Sequence, residues 1–241
     1  KRGIKIIIDW VPNHTSDQHP WFIESRSSRD NPKHDWYIWR DAKPDGSRPN
    51  NWGSIFGGPA WEWDETRQQY YYHMFVKEQP DLNWANPAVE QAMTEVLHFW
   101  MKRGVDGFRM DVVYLIHKAE GLPDNPIDPN ADPNLPENDI FGRQIHLYDG
   151  AQPAVHKYLR KFREITDRYG DTTIVGEIWE DDLSKWAEYY GPEGDELQLP
   201  FNFRLMQLRE WSAKVVRTSV DELEGVLPEF VAGDLARASG L

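Results

Sequence analysis

The stretch "GVDGFRMDVV", residues 104 to 113, is apolar and strand-like, yet it carries Arg109 and Asp111 two positions apart. Side chains alternate across a strand, so Val105, Gly107, Arg109 and Asp111 share one face while Phe108 and Met110 take the other. The charged pair lies at the carboxyl end. A second run, "TTIVGEIW" (172 to 179), repeats the arrangement: Val175, Glu177 and Trp179 share a face, and Glu177 stands near the exit. Proteins built on parallel strands collect their chemistry at the carboxyl ends, where the βα loops converge. Two carboxylates and a guanidinium at such ends form a candidate site.

The text around these runs alternates strand and helix. "IKIIIDWV" (4 to 11) reads as a strand buried on both sides, and "ELQLPFNF" (196 to 203) as a fourth strand. Helices are expected over "NPAVEQAMTEVLHFWMKRG" (86 to 104), "PAVHKYLRKFREITDRYG" (153 to 170), the short "DDLSKWAEYY" (181 to 190), and the later "LMQLREWSAKVV" and "SVDELEGVL". Between Thr15 and Pro87 the chain turns rich in Trp, Tyr, Asn, Pro, Gly and Asp, with a strand candidate in "QQYYYHMFV", and reads as an inserted subdomain. "DNPIDPNADPNLPEND" (124 to 139) has no periodic pattern and reads as a long loop. The fold class is therefore α/β, built of parallel βα units in either an open sheet or a barrel.

Composition narrows the partners. With 27 Lys and Arg against 40 Asp and Glu, a net charge of -13 repels phosphate backbones and anionic lipid, so neither nucleic acid nor membrane is expected. The chain has no cysteine, which removes disulfides and thiol chemistry and fits a reducing, cytoplasmic location. Twelve Trp, 10 Tyr and 10 Phe suit sugar-ring stacking, but they suit a core equally well. No GxGxxG or HExxH pattern is present. "DPNADPN" (128 to 134) imitates the start of a calcium loop, but Pro133 stands where Gly is needed and Asp139 where Glu is needed, so no metal is assigned there.

An ion pair between Arg109 and Asp111, with Glu177 bonded to backbone donors, would be a purely structural reading of the charged face. The chemical reading is a glycosidase pair. Glycoside cleavage needs one carboxylate ionised and one protonated, and a neighbouring guanidinium favours the ionised form. Arg109 stands where it would do this for Asp111.

Four motifs in order, "DWVPNHTS" (9 to 16), "QPDLNW" (79 to 84), "GFRMDVV" (107 to 113) and "GEIWE" (176 to 180), resemble the α-amylase family of glycoside hydrolases, in particular its α-glucosidase and oligo-1,6-glucosidase branch. The resemblance implies a (β/α)8 TIM barrel of which this chain carries about strands three to six. Residues 1–14 and 87–241 would belong to the barrel and 15–86 to an inserted domain B. It implies Asp111 as nucleophile, Glu177 as general acid/base and Arg109 as the group holding the nucleophile ionised. His14 would bond hydroxyls of the glucosyl ring, and Phe56, Phe75 and Gln79 would wall the same pocket. The implied activity is that of a retaining, exo-acting α-glucosidase on short oligosaccharides or glucosides, through α-1,6 or α-1,4 linkages. Val112, directly after the nucleophile, accompanies α-1,6 preference in that branch. A glucosyl transferase or isomerase such as trehalose synthase, and a non-catalytic amylase-like domain that binds a partner, are the alternatives.

The match has gaps. The family's third carboxylate, an Asp in a text like "GNHD", has no counterpart, because Asp234 in "AGD" lacks the Asn and His beside it. The first two barrel strands, and a divalent-ion loop for calcium or magnesium, are expected ahead of Lys1. No cofactor is expected within the segment itself, and the 241 residues alone are expected to be inactive.

Overall fold

The computed structural model describes residues 3–231; Asp234 lies outside them. The chain divides into two compact units. One is formed by the residues up to Trp10, Val96–Val113 and those from His156 onward, the other by Val11–Glu95 with Tyr114–Val155.

The first unit is built on a parallel sheet in which β1 (Ile7–Trp10), β5 (Gly107–Met110), β6 (Thr173–Glu177) and β7 (Leu199–Phe201) lie side by side in that order. Register aligns Asp9 with Arg109 and Arg109 with Val175, so the carboxyl ends of three strands finish level. Phe108, Met110 and Ile174 are fully buried. Gly107 is required by close approach: a Cβ there would sit 1.9 Å from the Thr173 carbonyl oxygen, so any side chain would push β5 off β6. The helix α3 (Ala154–Asp167) sets the edge of Phe162 against Trp10, ring centroids 4.9 Å apart. Further along it, His156 and Arg160 hold the buried Glu196 ahead of β7 at 2.7 and 2.6 Å. Gly170, at φ 102°, turns the chain after α3 toward β6.

The expectation that β1 is buried on both sides is corrected. Of its residues only Trp10 is buried, and Ile7 is 45 % exposed. Among the described residues β1 is bonded on one flank alone, to β5, and its run of isoleucines faces solvent on an edge. β7, with Leu199 53 % exposed, is the opposite edge.

The second unit contains an antiparallel sheet in which β4 (Gln69–Tyr72) lies between β2 (Trp39–Arg40) and β3 (Trp61–Asp64). Aromatic side chains make up much of its core. Phe22 of α1 (Pro20–Ser27), Tyr37, Trp52, Trp61 and Tyr72 are all buried, and Phe22 meets Tyr37, Trp39 and Tyr71 ring to ring. The Arg67 guanidinium lies over Trp39, 4.4 Å from the ring centre, and burial lowers its pKa to about 10. The long loop folds with this unit: the Asn51 side chain donates from Nδ2 to the Asn125 carbonyl at 2.8 Å and accepts the Asn125 N–H on Oδ1 at 2.9 Å, and Trp52 Nε1 donates to the Pro123 carbonyl. Asp128 and Asp132 turn their carboxylates onto the backbone N–H groups of Asn130 and Asn134, both at 2.8 Å. α2 (Pro87–Met101) follows the helical period, with Val89, Met93 and Leu97 buried, but Trp100, at the same helical spacing, is exposed.

Among the described residues no helix is long and apolar enough to cross a membrane. The edges carry a consequence for the isolated chain. Unpaired strand edges bearing Ile4, Ile6, Ile7, Leu199 and Phe201 are templates for pairing with other chains. We expect the isolated 241-residue chain to associate as concentration rises, with Ile7→Lys reducing the effect; light scattering that gives the mass of one chain at all concentrations would contradict this.

Candidate active site

Each strand end contributes one group. Arg109, the third residue of β5, projects from the face that also bears Asp111, and its guanidinium joins three carboxylates. Nη1 donates to Asp111 Oδ1 at 2.6 Å and to Asp9 Oδ1 at 3.2 Å, and Nη2 donates to Glu177 Oε2. Asp9, Arg109 and Glu177 thus come from β1, β5 and β6, with Asp111 one residue beyond β5. Burial of the guanidinium works against its charge. The hydrogen bond to Asp111 and the charges of Glu177, Asp111 and Asp9 outweigh that, and the pKa of Arg109 is raised above its ordinary value. Arg109 is a fixed cation at any pH the protein meets.

Glu177 is held on its other oxygen as well, since Trp179 Nε1 donates to Oε1 at 2.8 Å. The Trp179 ring stacks on Phe203, centroids 3.9 Å apart and planes 3° from parallel. The backbone N–H of Val112 points to Glu177 Oε2 at 3.4 Å. Val112 has φ 35°, a left-handed conformation that is an outlier for a β-branched residue and costs of order 1–3 kcal/mol.

The second unit gathers the other candidates. The motifs "NHT" and "QPDLNW" run antiparallel, bridged between His14 and Asp81, with Leu82 N–H donating to the Asn13 carbonyl and Thr15 N–H to that of Pro80. This brings Gln79 Nε2 to 3.0 Å from His14 Nε2. His14 lies against Phe75, centroids 5.1 Å apart, and Phe75 against Phe56 at 6.1 Å, with Phe56 exposed at the end of the row. Beneath them Asn13 Nδ2 donates to Asp81 Oδ2 at 2.9 Å, and Lys118 Nζ pairs with the same oxygen at 2.9 Å. Asn13, formally a glycosylation acceptor in "NHT", is buried with its amide bonded to protein.

The model of the alpha-amylase catalytic domain matches residues 1–227. The chain belongs to the alpha-amylase family. An oligo-1,6-glucosidase of Heyndrickxia coagulans is 47 % identical over 208 residues, covering 86 % of this chain and 36 % of that protein. A probable alpha-glucosidase of Rhizobium meliloti is 44 % identical over 208 residues, covering 85 % of this chain and 38 % of its own length. Among solved structures, the alpha-glucosyl transfer enzyme XgtA superposes with a TM-score of 0.86 at 41 % identity, covering 94 % of this chain and 42 % of that one. The trehalose-6-phosphate hydrolase of Bacillus licheniformis gives 0.79 at 36 % identity, covering 92 % and 39 %. The chain therefore spans well under half the length of these relatives. The parallel sheet is part of the TIM barrel of alpha-amylase catalytic domains.

Of the residues expected from sequence in this alpha-amylase family chain, the structure brings together Arg109, Asp111 and Glu177 in one unit. In the other it brings together His14, Gln79 and Phe75, with Phe56 at the margin. Sequence reasoning assigned no role to Asp9, Trp179 or Lys118. Two signals were present: Trp179 shares a strand face with Glu177, and Asp9 ends a strand in the first motif. Nothing in the linear text pointed to Lys118.

The arrangement makes Arg109 the group whose loss should matter most. Removing it leaves Asp9, Asp111 and Glu177 facing one another uncompensated. Arg109→Met should lower stability by about 1–3 kcal/mol, below the range for fully buried pairs because water reaches the site. Denaturant unfolding in low and high salt would check this, with the deficit shrinking as salt screens the carboxylates.

Proposed function

We propose that the protein carrying this chain is a retaining α-glucosidase, releasing terminal α-linked glucose from short oligosaccharides by double displacement. The observation that carries the reading is the guanidinium of Arg109 between two carboxylates, one following β5 and one ending β6. Asp111 Oδ1 is committed to Arg109, which leaves Oδ2 to attack the anomeric carbon. The bond from that carbon to the glycosidic oxygen breaks as Glu177 gives the oxygen a proton, and a glucosyl ester of Asp111 remains. Water then adds to the same carbon, Glu177 takes its proton, and the ester bond opens. Two inversions at one carbon retain the α configuration.

Both oxygens of Glu177 are engaged at rest, by Arg109 and by Trp179. Proton transfer therefore requires Arg109 to withdraw from Oε2, a proton from water to take its place and the glycosidic oxygen to accept that proton, while the indole N–H keeps the carboxyl group oriented. For His14 we propose a bond to hydroxyls of the glucosyl ring, and for Phe56, Phe75 and Gln79 the wall of its pocket. A second reading, glucosyl transfer to a sugar hydroxyl, is favoured by the likeness to XgtA, an alpha-glucosyl transfer enzyme. The two differ only in the acceptor and separate by product analysis.

In the full-length protein, Asp111→Asn should abolish turnover with the fold intact, because the amide cannot form the glucosyl ester. Glu177→Gln should fail on natural oligosaccharides, yet keep measurable cleavage of aryl glucosides whose leaving groups need little protonation. Equal loss on both substrate types would remove Glu177 from the acid/base role.

Linkage preference is proposed to depend on Val112, whose side chain directly follows the nucleophile. Val112→Thr exchanges a methyl for a hydroxyl, and a single contact of this kind shifts discrimination by about 1–3 kcal/mol. The ratio of kcat/KM on isomaltose to that on maltose should fall in the variant, and an unchanged ratio would count against Val112 as a determinant.

A further inference from the structure

The side chain of Lys118 is buried, and its ammonium uses all three donors: Asp81 Oδ2 at 2.9 Å, Asn13 Oδ1 at 3.1 Å and the Leu115 carbonyl. Asp81 is fully buried. Its Oδ2 also accepts from Asn13 Nδ2 at 2.9 Å, and its Oδ1 accepts from the Met74 N–H at 2.9 Å. The Asn13 amide is therefore caught between a cation on its oxygen and an anion on its nitrogen. Turning it over would set NH2 against an ammonium and C=O against a carboxylate, so its orientation is fixed by charge.

That orientation reaches His14. Asn13 Nδ2 also stands 3.3 Å from His14 Nδ1. A nitrogen that donates to Asp81 with one hydrogen offers only its other hydrogen, so Nδ1 must be the acceptor. We infer that the buried Lys118–Asp81–Asn13 chain locks His14 in the neutral tautomer protonated on Nε2, and that Gln79 receives this proton on its amide oxygen. The second half follows from the first. With Nε2 a donor, the Gln79 group 3.0 Å away cannot be NH2, and exchange of the two ends of the amide places Oε1 there.

Asn13 is thus a positioning residue, acting through His14, and Lys118 and Asp81 are its anchors. At rest the Nε2–H is given to Gln79; its transfer to a sugar hydroxyl that displaces Gln79 rests on the reading of His14 proposed above. The tautomer does not rest on it and is measured without substrate.

The test uses full-length protein with 15N-labelled histidine, reading each ring nitrogen by long-range proton–nitrogen correlation, His14 being assigned by loss of its signals in His14→Ala. The expected result is an unprotonated Nδ1 and a protonated Nε2. Gln79→Glu, which can only accept at that position, should leave this pattern in place. Asn13→Asp, which presents an oxygen to Nδ1, should move a proton onto Nδ1. A wild-type spectrum with the proton on Nδ1 would overturn the inference, as would a change of tautomer in Gln79→Glu or an unprotonated Nδ1 in folded Asn13→Asp. The first two measurements leave the buried cluster untouched and decide the matter even where Asn13→Asp does not fold. Because none of them reads activity, loss of the glucosidase reading would leave the result standing.

Discussion

The carboxylates gathered at the strand ends are held by one guanidinium. Arg109 reaches Asp9, Asp111 and Glu177 because β1, β5 and β6 are parallel, adjacent and in level register. Three carboxylates so near one another repel, and the guanidinium between them offsets that repulsion. A planar, permanently charged fork answers several acceptors at once, which a single ammonium on a flexible stem does less well. The same contacts commit one oxygen of Asp111 to Arg109.

The sheet that delivers those groups is unevenly buried. β5 and β6 pack Phe108, Met110 and Ile174 completely, whereas β1 and β7 leave Ile7 and Leu199 largely exposed. Stability in this unit is therefore concentrated in the two central strands, which carry Arg109 and Glu177, and Asp9 sits on an edge. The contact from Arg109 to Asp9, at 3.2 Å, is the longest of the three the guanidinium makes.

Sequence alone disclosed what is local and periodic. The alternation in "GVDGFRMDVV" and "TTIVGEIW" placed Arg109, Asp111 and Glu177 at strand exits, and the helical spacing of Val89, Met93 and Leu97 marked the buried face of α2. Alternation does not report whether a strand has neighbours on both flanks, and so "IKIIIDWV" was read as interior, whereas among the described residues it is paired on one flank. Trp100 fits the helical stripe in sequence but lies beyond what covers it. The association of 114–155 with the aromatic segment depends on single side-chain bonds such as Asn51 with Asn125, seventy-four positions apart, and these have no period to detect. Lys118 was invisible for the same reason. A lysine is ordinarily a surface residue, and only the fold places it beside Asp81 and Asn13.

Val112 brings these strands of argument to one residue. A glycine there would adopt φ 35° without the penalty of order 1–3 kcal/mol that a β-branched residue bears. It would also give up a buried valine side chain, worth about 1.5–3 kcal/mol. The two terms are of the same size, so stability alone does not favour valine over glycine. The backbone conformation serves the site with either residue, since it turns the chain sharply after Asp111 and directs an N–H toward Glu177. What valine adds is a rigid apolar wall beside Asp111. The strain at Val112 is then the cost of combining a turn that suits glycine with a side chain that glycine cannot supply.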